Sequence, residues 1–193
     1  KMKIKQFEQY TSKEIFNLPK LFVEEALADL RFVHDKAEYD YMRYIDEELG
    51  ELLGNYVSGA SISNRTLLVD DIADSLWVVL AKISEKELKI AIDYADLRRN
   101  DIGATFEDAI ACVFKEFIQG KDLSFILYGL LRAAYSQMID VYKLVHALAE
   151  ENFSKFNFDR DKINEVYRDG KLNKKSPDGV CYSWFRATDF SKF

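Results

Sequence analysis

Apolar residues return every three to four positions along most of this 193-residue chain. That spacing lines one face of an α-helix, whereas a half-buried strand alternates every second residue. The pattern predicts helices over about residues 20–33, 37–57, 67–83, 85–98, 105–119 and 122–153. The intervening breaks carry turn and capping residues. Ser58-Gly59-Ala60-Ser61-Ile62-Ser63-Asn64 separates the second helix from the third, Asn100-Asp101-Ile102-Gly103 precedes the fifth, and Gly120 precedes the last. Thr105 followed by Asp108 reads as a capping box with Asp in place of the usual Glu. Beyond about residue 168 the periodicity fades into two turn signals, Asp169-Gly170-Lys171 and Ser176-Pro177-Asp178-Gly179. The chain then runs into Tyr182-Ser183-Trp184-Phe185-Arg186, too aromatic for a purely solvated end and expected to dock on the body. The expectation is an all-α helical bundle over residues 1–167 with an irregular tail, 168–193, packed against it.

Composition supports a packed helical protein. Apolar residues make up 48% of the chain, with only eight Gly and two Pro. The formal charge of −6 argues against nucleic acid or an acidic membrane surface as a partner. No segment approaches the roughly 18 uninterrupted apolar residues of a membrane span. The charge is unevenly spread: residues 155–193 carry nine Lys/Arg against six Asp/Glu, a net +3, which leaves −9 of the −6 total on residues 1–154. An acidic body that handles an anionic substrate needs a cation between carboxylate and phosphate. The two cysteines, Cys112 and Cys181, are far apart and form no CxxC pair, which fits a reducing cytoplasm better than a zinc knuckle or a disulfide scaffold.

Two acidic pairs sharpen that picture. Glu48 and Glu51 share one face of the second helix, at the edge of an apolar stripe formed by Tyr41, Ile45, Leu49, Leu52 and Tyr56. On the third helix Val69, Ile72, Leu76, Val79, Leu80 and Ile83 already make a full apolar face. Its other side adds Trp77, Val78 and Ala81, among which Asp70, Asp71 and Asp74 project. A single acidic pair at i, i+3 is ordinarily a solvated helix surface. Two pairs on consecutive helices, both bordering apolar faces, are costly unless protonated, hydrogen-bonded or neutralised, and a hard divalent cation such as Mg²⁺ suits oxygen ligands.

The residues around these acids resemble a known family. Glu47-Glu48-x-x-Glu51, followed after nineteen residues by Asp71-x-x-Asp74, is similar to the EExxE…ExxD signature of the all-α nucleoside triphosphate pyrophosphatases, which include MazG and the dimeric dUTPases. A second patch, Ile139-Asp140-Val141-Tyr142 running on to Ala149-Glu150-Glu151-Asn152-Phe153-Ser154-Lys155, resembles the helix ending in Asn-Met-Ser-Lys of phage-type MazG-like proteins. The similarity spans roughly residues 40–83 and 137–180. It implies a helical catalytic domain over residues 1–167 in which Glu48, Glu51, Asp71 and Asp74 hold Mg²⁺, with Mn²⁺ as a substitute. Glu47 and Asp70 would act as base or outer-shell partners. Asn152 and Lys155, with Lys171, Lys174, Lys175 and Arg186 of the tail, would meet the nucleotide. The implied reaction converts a (d)NTP to a (d)NMP and pyrophosphate, for nucleotide-pool control or supply, in a homodimer or homotetramer located in the cytoplasm, or in a host's cytoplasm for a phage-encoded chain. An inactive helical-bundle interaction protein is the alternative. Two features depart from the family: Asp71 stands where Glu is usual, and residues 84–136 exceed the usual connection. A shorter Asp71 could ligate through water or leave its position to Asp70.

Other phosphohydrolase chemistries lack their residues. His34-Asp35 would need further histidines, and the only other one is His146. No Glu-x-x-His pair, Gly-rich phosphate loop, GxSxG elbow or HExxH helix is present. Trp77 reads as core.

Overall fold

A computed structural model describes residues 3–33, 39–97, 105–120 and 122–193. His34-Asp35 and the Asn100–Gly103 break lie outside these residues. Among the described residues there are nine α-helices: α1 (Ser12–Val33), α2 (Tyr41–Val57), α3 (Ala60–Ser63), α4 (Arg65–Lys82), α5 (Glu85–Leu97), α6 (Phe106–Gln119), α7 (Leu123–Ser136), α8 (Val141–Ser154) and α9 (Ile163–Val166). The fold is all-α apart from a two-residue hairpin, β1 (Tyr167–Arg168) with β2 (Lys171–Leu172). No described helix is long and apolar enough to cross a membrane.

Helix α4 is the axis of the bundle, packed by α1, α2, α7 and α8. This explains its all-round apolar sequence: neighbours occupy every side, and Val69, Ile72, Ala73, Leu76, Val79 and Leu80 are wholly buried. Trp77 and Val78 are also covered, at 5% and 7% exposure within the single chain. The apolar second face is therefore used inside the chain, and it no longer argues for a partner subunit. Helices α2 and α4 run antiparallel, because contacts between them descend in register. Lys82 lies over the Tyr41 ring, Ser75 Oγ donates to the Glu48 carbonyl, and Asn55 Nδ2 reaches Asp71. The stripe of α2 meets α4 through Ile45, Leu49 and Leu52, all fully buried.

The short helices α3 and α9 fall where the sequence pattern expected none, and two longer helices depart from their expected bounds. Helix α1 starts eight residues earlier than expected and accommodates Pro19 inside it. Thr11 and Glu14 hold its start by a reciprocal side-chain and backbone exchange, while Ile15, Phe16 and Leu18 bury its first turns. The expected helix 122–153 is two helices. Ile139 N–H bonds the Ala134 carbonyl and Met138 N–H the Tyr135 carbonyl, with Met138 at φ 58°, which is the Schellman closure of α7. Asp140 then caps α8 through the Tyr142 and Lys143 amides. The closure normally announces itself with Gly; here Met occupies that position, so the apolar period ran on unbroken through it. Elsewhere the capping signals hold, including the Thr105–Asp108 box on α6.

Helices α5, α6 and α7 form the part of the bundle that the long 84–136 segment supplies. Gly129 lets α6 and α7 touch: a Cβ there would sit 2.6 Å from Val113 Cγ2 and 3.1 Å from the Ala109 carbonyl. At the other end, the tail folds back onto α8. Arg186 N–H donates to Ser154 Oγ, Thr188 N–H to Glu151 Oε2, and Arg65 Nε to the Phe193 carbonyl. Tyr182 and Trp184 stack at 4.6 Å, and Trp184, Phe185, Phe190 and Phe193 pack against the core.

Candidate functional site

A cavity of about 430 Å³ opens where α1, α2, α4, α8 and the β1–β2 hairpin meet. Its walls differ in chemistry. Glu47 and Glu48 of α2, Asp74 of α4 and Glu151 of α8 supply carboxylates, while Lys155, Lys171, Lys174 and Lys175 bring ammonium groups. Phe22, Ala26 and Leu30 of α1, with Trp77, Val78 and the rings of Tyr39, Tyr44 and Tyr167, make up the apolar part of the lining. Phe22 meets Trp77 edge-on at 5.7 Å, and Tyr39 lies 4.8 Å from Tyr44.

The basic side is set by local folding after α8. Asp169 (φ 54°) and Gly170 (φ 77°) both adopt left-handed conformations, as a two-residue hairpin turn with the strands' own twist requires. That turn is pinned to α2, because Tyr44 Oη donates to the Gly170 carbonyl at 3.2 Å. Lys171 and Lys174 are thereby carried into the cavity lining, within electrostatic reach of Glu48 and Asp70 respectively. Lys155 ends α8, and its Nζ donates to Asn152 Oδ1 at 2.7 Å, while Asn152 Nδ2 donates to the Leu148 carbonyl at 3.1 Å. Asn152 is buried at 8% exposure, so its amide serves the helix and the lysine.

Crowded, desolvated carboxylates resist ionisation. Burial, then the charges of Glu51, Glu47 and Asp70, push Glu48 up to about 7, against the pull of Lys171. Burial and the charges of Glu48, Asp70 and Glu151 push Asp74 up to about 8, with Lys155 opposing. Glu48 and Asp74 repel one another when both are charged, so they release their protons as a coupled pair. Asp70 is also raised, by burial and then by Glu151 and Glu51. Lys155 moves down because burial disfavours its charge, although Glu151 and Asp74 partly restore it.

The residues expected from sequence fall into three groups. Glu47, Glu48, Asp74, Asn152, Lys155, Lys171, Lys174 and Lys175 line the cavity. Glu51 and Asp70 stand outside that lining but close enough to act electrostatically on Glu48. Asp71 and Arg186 are turned to other tasks. Both Asp71 oxygens accept from Asn55 Nδ2 at 3.1 Å; burial outweighs this bond and, with the charges of Glu51 and Asp70, leaves Asp71 raised to about 6. Arg186 is exposed, and its backbone amide anchors the tail. Asp70, next in sequence, acts on both Glu48 and Asp74, whereas Asp71 is coupled only to Glu51 and Asp70 at the edge of the cluster. Sequence reasoning missed Glu151, whose place beside Glu150 reads as a solvated pair, and Asn173, Tyr39 and Tyr44, for which no motif gave a signal.

Among the described residues, no group of three or more His, Cys, Asp or Glu side chains is gathered so that it could hold a metal ion as it stands. The donor chemistry nevertheless fits a hard divalent cation: the donors are carboxylate oxygens, and their raised pKa values record a local shortage of positive charge. No family model, curated protein or solved structure matches the chain.

Proposed function

We propose that the chain is a Mg²⁺-dependent nucleoside triphosphate pyrophosphohydrolase, converting a (d)NTP to the monophosphate and pyrophosphate. The observation that carries this reading is the three-part lining of one cavity, with acids, lysines and an apolar aromatic portion. A polyphosphate needs the first two together, because carboxylates alone repel it and lysines alone would hold it without activating water. A nucleoside needs the third, and about 430 Å³ lies within the usual range of small-molecule sites.

Glu48 and Asp74, with Glu51 and Asp70 beside them, would hold the cation. When bound, Mg²⁺ supplies Lewis-acid polarisation of phosphate oxygens and lowers the pKa of a coordinated water. The chain's own groups do the rest. Lys155 is a point charge for a phosphate oxygen, steadied by Asn152. Lys171 and Lys174 add positive potential from the hairpin, which Tyr44 keeps fixed to α2. Phe22 and Trp77 exclude water on the apolar side, where a base can be covered. Nucleotide-pool control, Mn²⁺ as a substitute and a homo-oligomeric state belong to this proposal through the family resemblance.

The test is incubation of natural NTPs and dNTPs with Mg²⁺, with products resolved by ion-exchange chromatography and ³¹P NMR. Monophosphate and pyrophosphate should appear together, and EDTA should abolish both. Orthophosphate as first product, or no turnover of any triphosphate, overturns the proposal.

A further inference from the structure

Asn173 is held unlike any other polar group in the cavity lining. Its Nδ2 lies within hydrogen-bond distance of three backbone carbonyls, those of Val166 at 3.3 Å, Arg168 at 3.1 Å and Lys171 at 2.9 Å, which share its two N–H donors. Its backbone amide donates to the Val166 carbonyl as well, at 2.8 Å. Only the NH₂ end of an amide can face carbonyl oxygens, so this ring of acceptors fixes which way the group points. The Oδ1 end is left over, with no hydrogen bond among the described residues. Asn173 lines the cavity together with its neighbours Lys171 and Lys174.

A rigidly oriented acceptor on an otherwise cationic wall restricts what can lie beside it. It cannot bond a phosphate oxygen, because both atoms are acceptors. Within a nucleoside triphosphate, the donors nearest the phosphates are the sugar hydroxyls. We propose that Asn173 is a specificity-determining residue whose Oδ1 accepts a hydrogen bond from a sugar hydroxyl of the bound nucleotide. This rests on the triphosphate reading above and adds a sugar-reading contact to it. The three carbonyl contacts leave the amide no freedom to flip and offer its donor end, so a nucleotide lacking the hydroxyl leaves a desolvated acceptor unpaired.

The experiment compares kcat/KM for thymidine triphosphate with that for its 2′,3′-dideoxy analogue, and for ATP with dATP, in the full chain with Mg²⁺. Loss of the hydroxyl that Asn173 reads should lower kcat/KM about 10-fold to 100-fold in one of the two comparisons. Asn173→Ala should bring that ratio to within about 2-fold of unity. Asn173→Asp, which has no N–H to face the three carbonyls and so loses the fixed orientation, should lose the discrimination as well. Because Asn173→Ala also frees three hairpin carbonyls, the ratio is the readout and the absolute rate is not. Equal turnover with and without each hydroxyl in the unmutated chain overturns the assignment whatever the variants do, and so does a ratio that survives in Asn173→Ala. Either result leaves the pyrophosphohydrolase reading standing, whereas a chain that turns over no triphosphate fails at that earlier reading and takes this assignment with it.

Discussion

Replacing Asp74 by Asn should stabilise the metal-free protein, and by an amount that depends on pH. In the folded chain the Asp74 carboxyl is pushed up from 3.8 to about 8, chiefly by burial and then by Glu48, Asp70 and Glu151. A folded state that keeps a proton the unfolded chain releases loses stability as pH rises between those two values. The contribution is complete below about pH 4 and gone by about pH 8. At 1.36 kcal/mol per pKa unit, the penalty is about 2 kcal/mol at pH 5 and about 4 kcal/mol at pH 7. Asparagine resembles the protonated acid in shape and does not titrate, so Asp74→Asn escapes this growth. The gain of the variant over the parent should therefore increase by about 3 kcal/mol between pH 5 and pH 7, two pH units at 1.36 kcal/mol each. That corresponds to about 7 °C in Tm for a chain of this size. Circular-dichroism melts of both proteins in EDTA at the two pH values measure it, and turnover with Mg²⁺ should be lost in the same variant. A gain that is equal at both pH values, or a variant less stable than the parent at pH 7, would refute the electrostatic account of the cluster.

Lys155→Met keeps the length of the side chain but removes a charged donor to phosphate, and kcat/KM should fall about 10-fold to 100-fold, mainly through KM; steady-state kinetics with unchanged KM would remove Lys155 from the phosphate site. Met138 is 91% exposed at φ 58°, so Met138→Gly sheds the left-handed strain of about 1 kcal/mol without losing packing and should raise Tm by about 2 °C. A lower Tm would show that the α7–α8 turn does not depend on that conformation. Gly129→Ala gains helix propensity but forces a methyl to within 2.6 Å of Val113, and urea unfolding should show a net loss of about 1–2 kcal/mol. Unchanged stability would mean that the α6–α7 contact relaxes freely.

Much of the helical framework was legible because its signals are local. The period of Ile45, Leu49 and Leu52 on α2, and the doubled apolar surface of α4, follow from side-chain chemistry at fixed spacing and required no knowledge of neighbours. The same holds for Thr105–Asp108 at the head of α6. The early start of α1 is equally local in origin: Thr11–Glu14 forms a reciprocal cap, and Pro19 sits within the helix it opens. At Met138 local reasoning had nothing to find, since the closure of α7 uses a residue with no preference for the conformation it adopts.

By itself the sequence determined that this is an all-α chain with acids on two successive helices, because helix periodicity and mutual repulsion of carboxylates are properties of residue type and spacing. Which acids meet was decided by tertiary structure. Helical spacing makes Asp71 and Asp74 neighbours, yet Asn55 of the antiparallel α2 takes Asp71 for itself, while Asp74 lines the cavity toward which Glu151 is carried from another helix. The tail's +3 charge was countable from the residues alone. That Lys171 and Lys174 line the cavity while Arg186 anchors backbone follows from a hairpin turn pinned by Tyr44, a contact spanning 126 residues of sequence. Direction in space is set by such long-range contacts, and no local pattern encodes them.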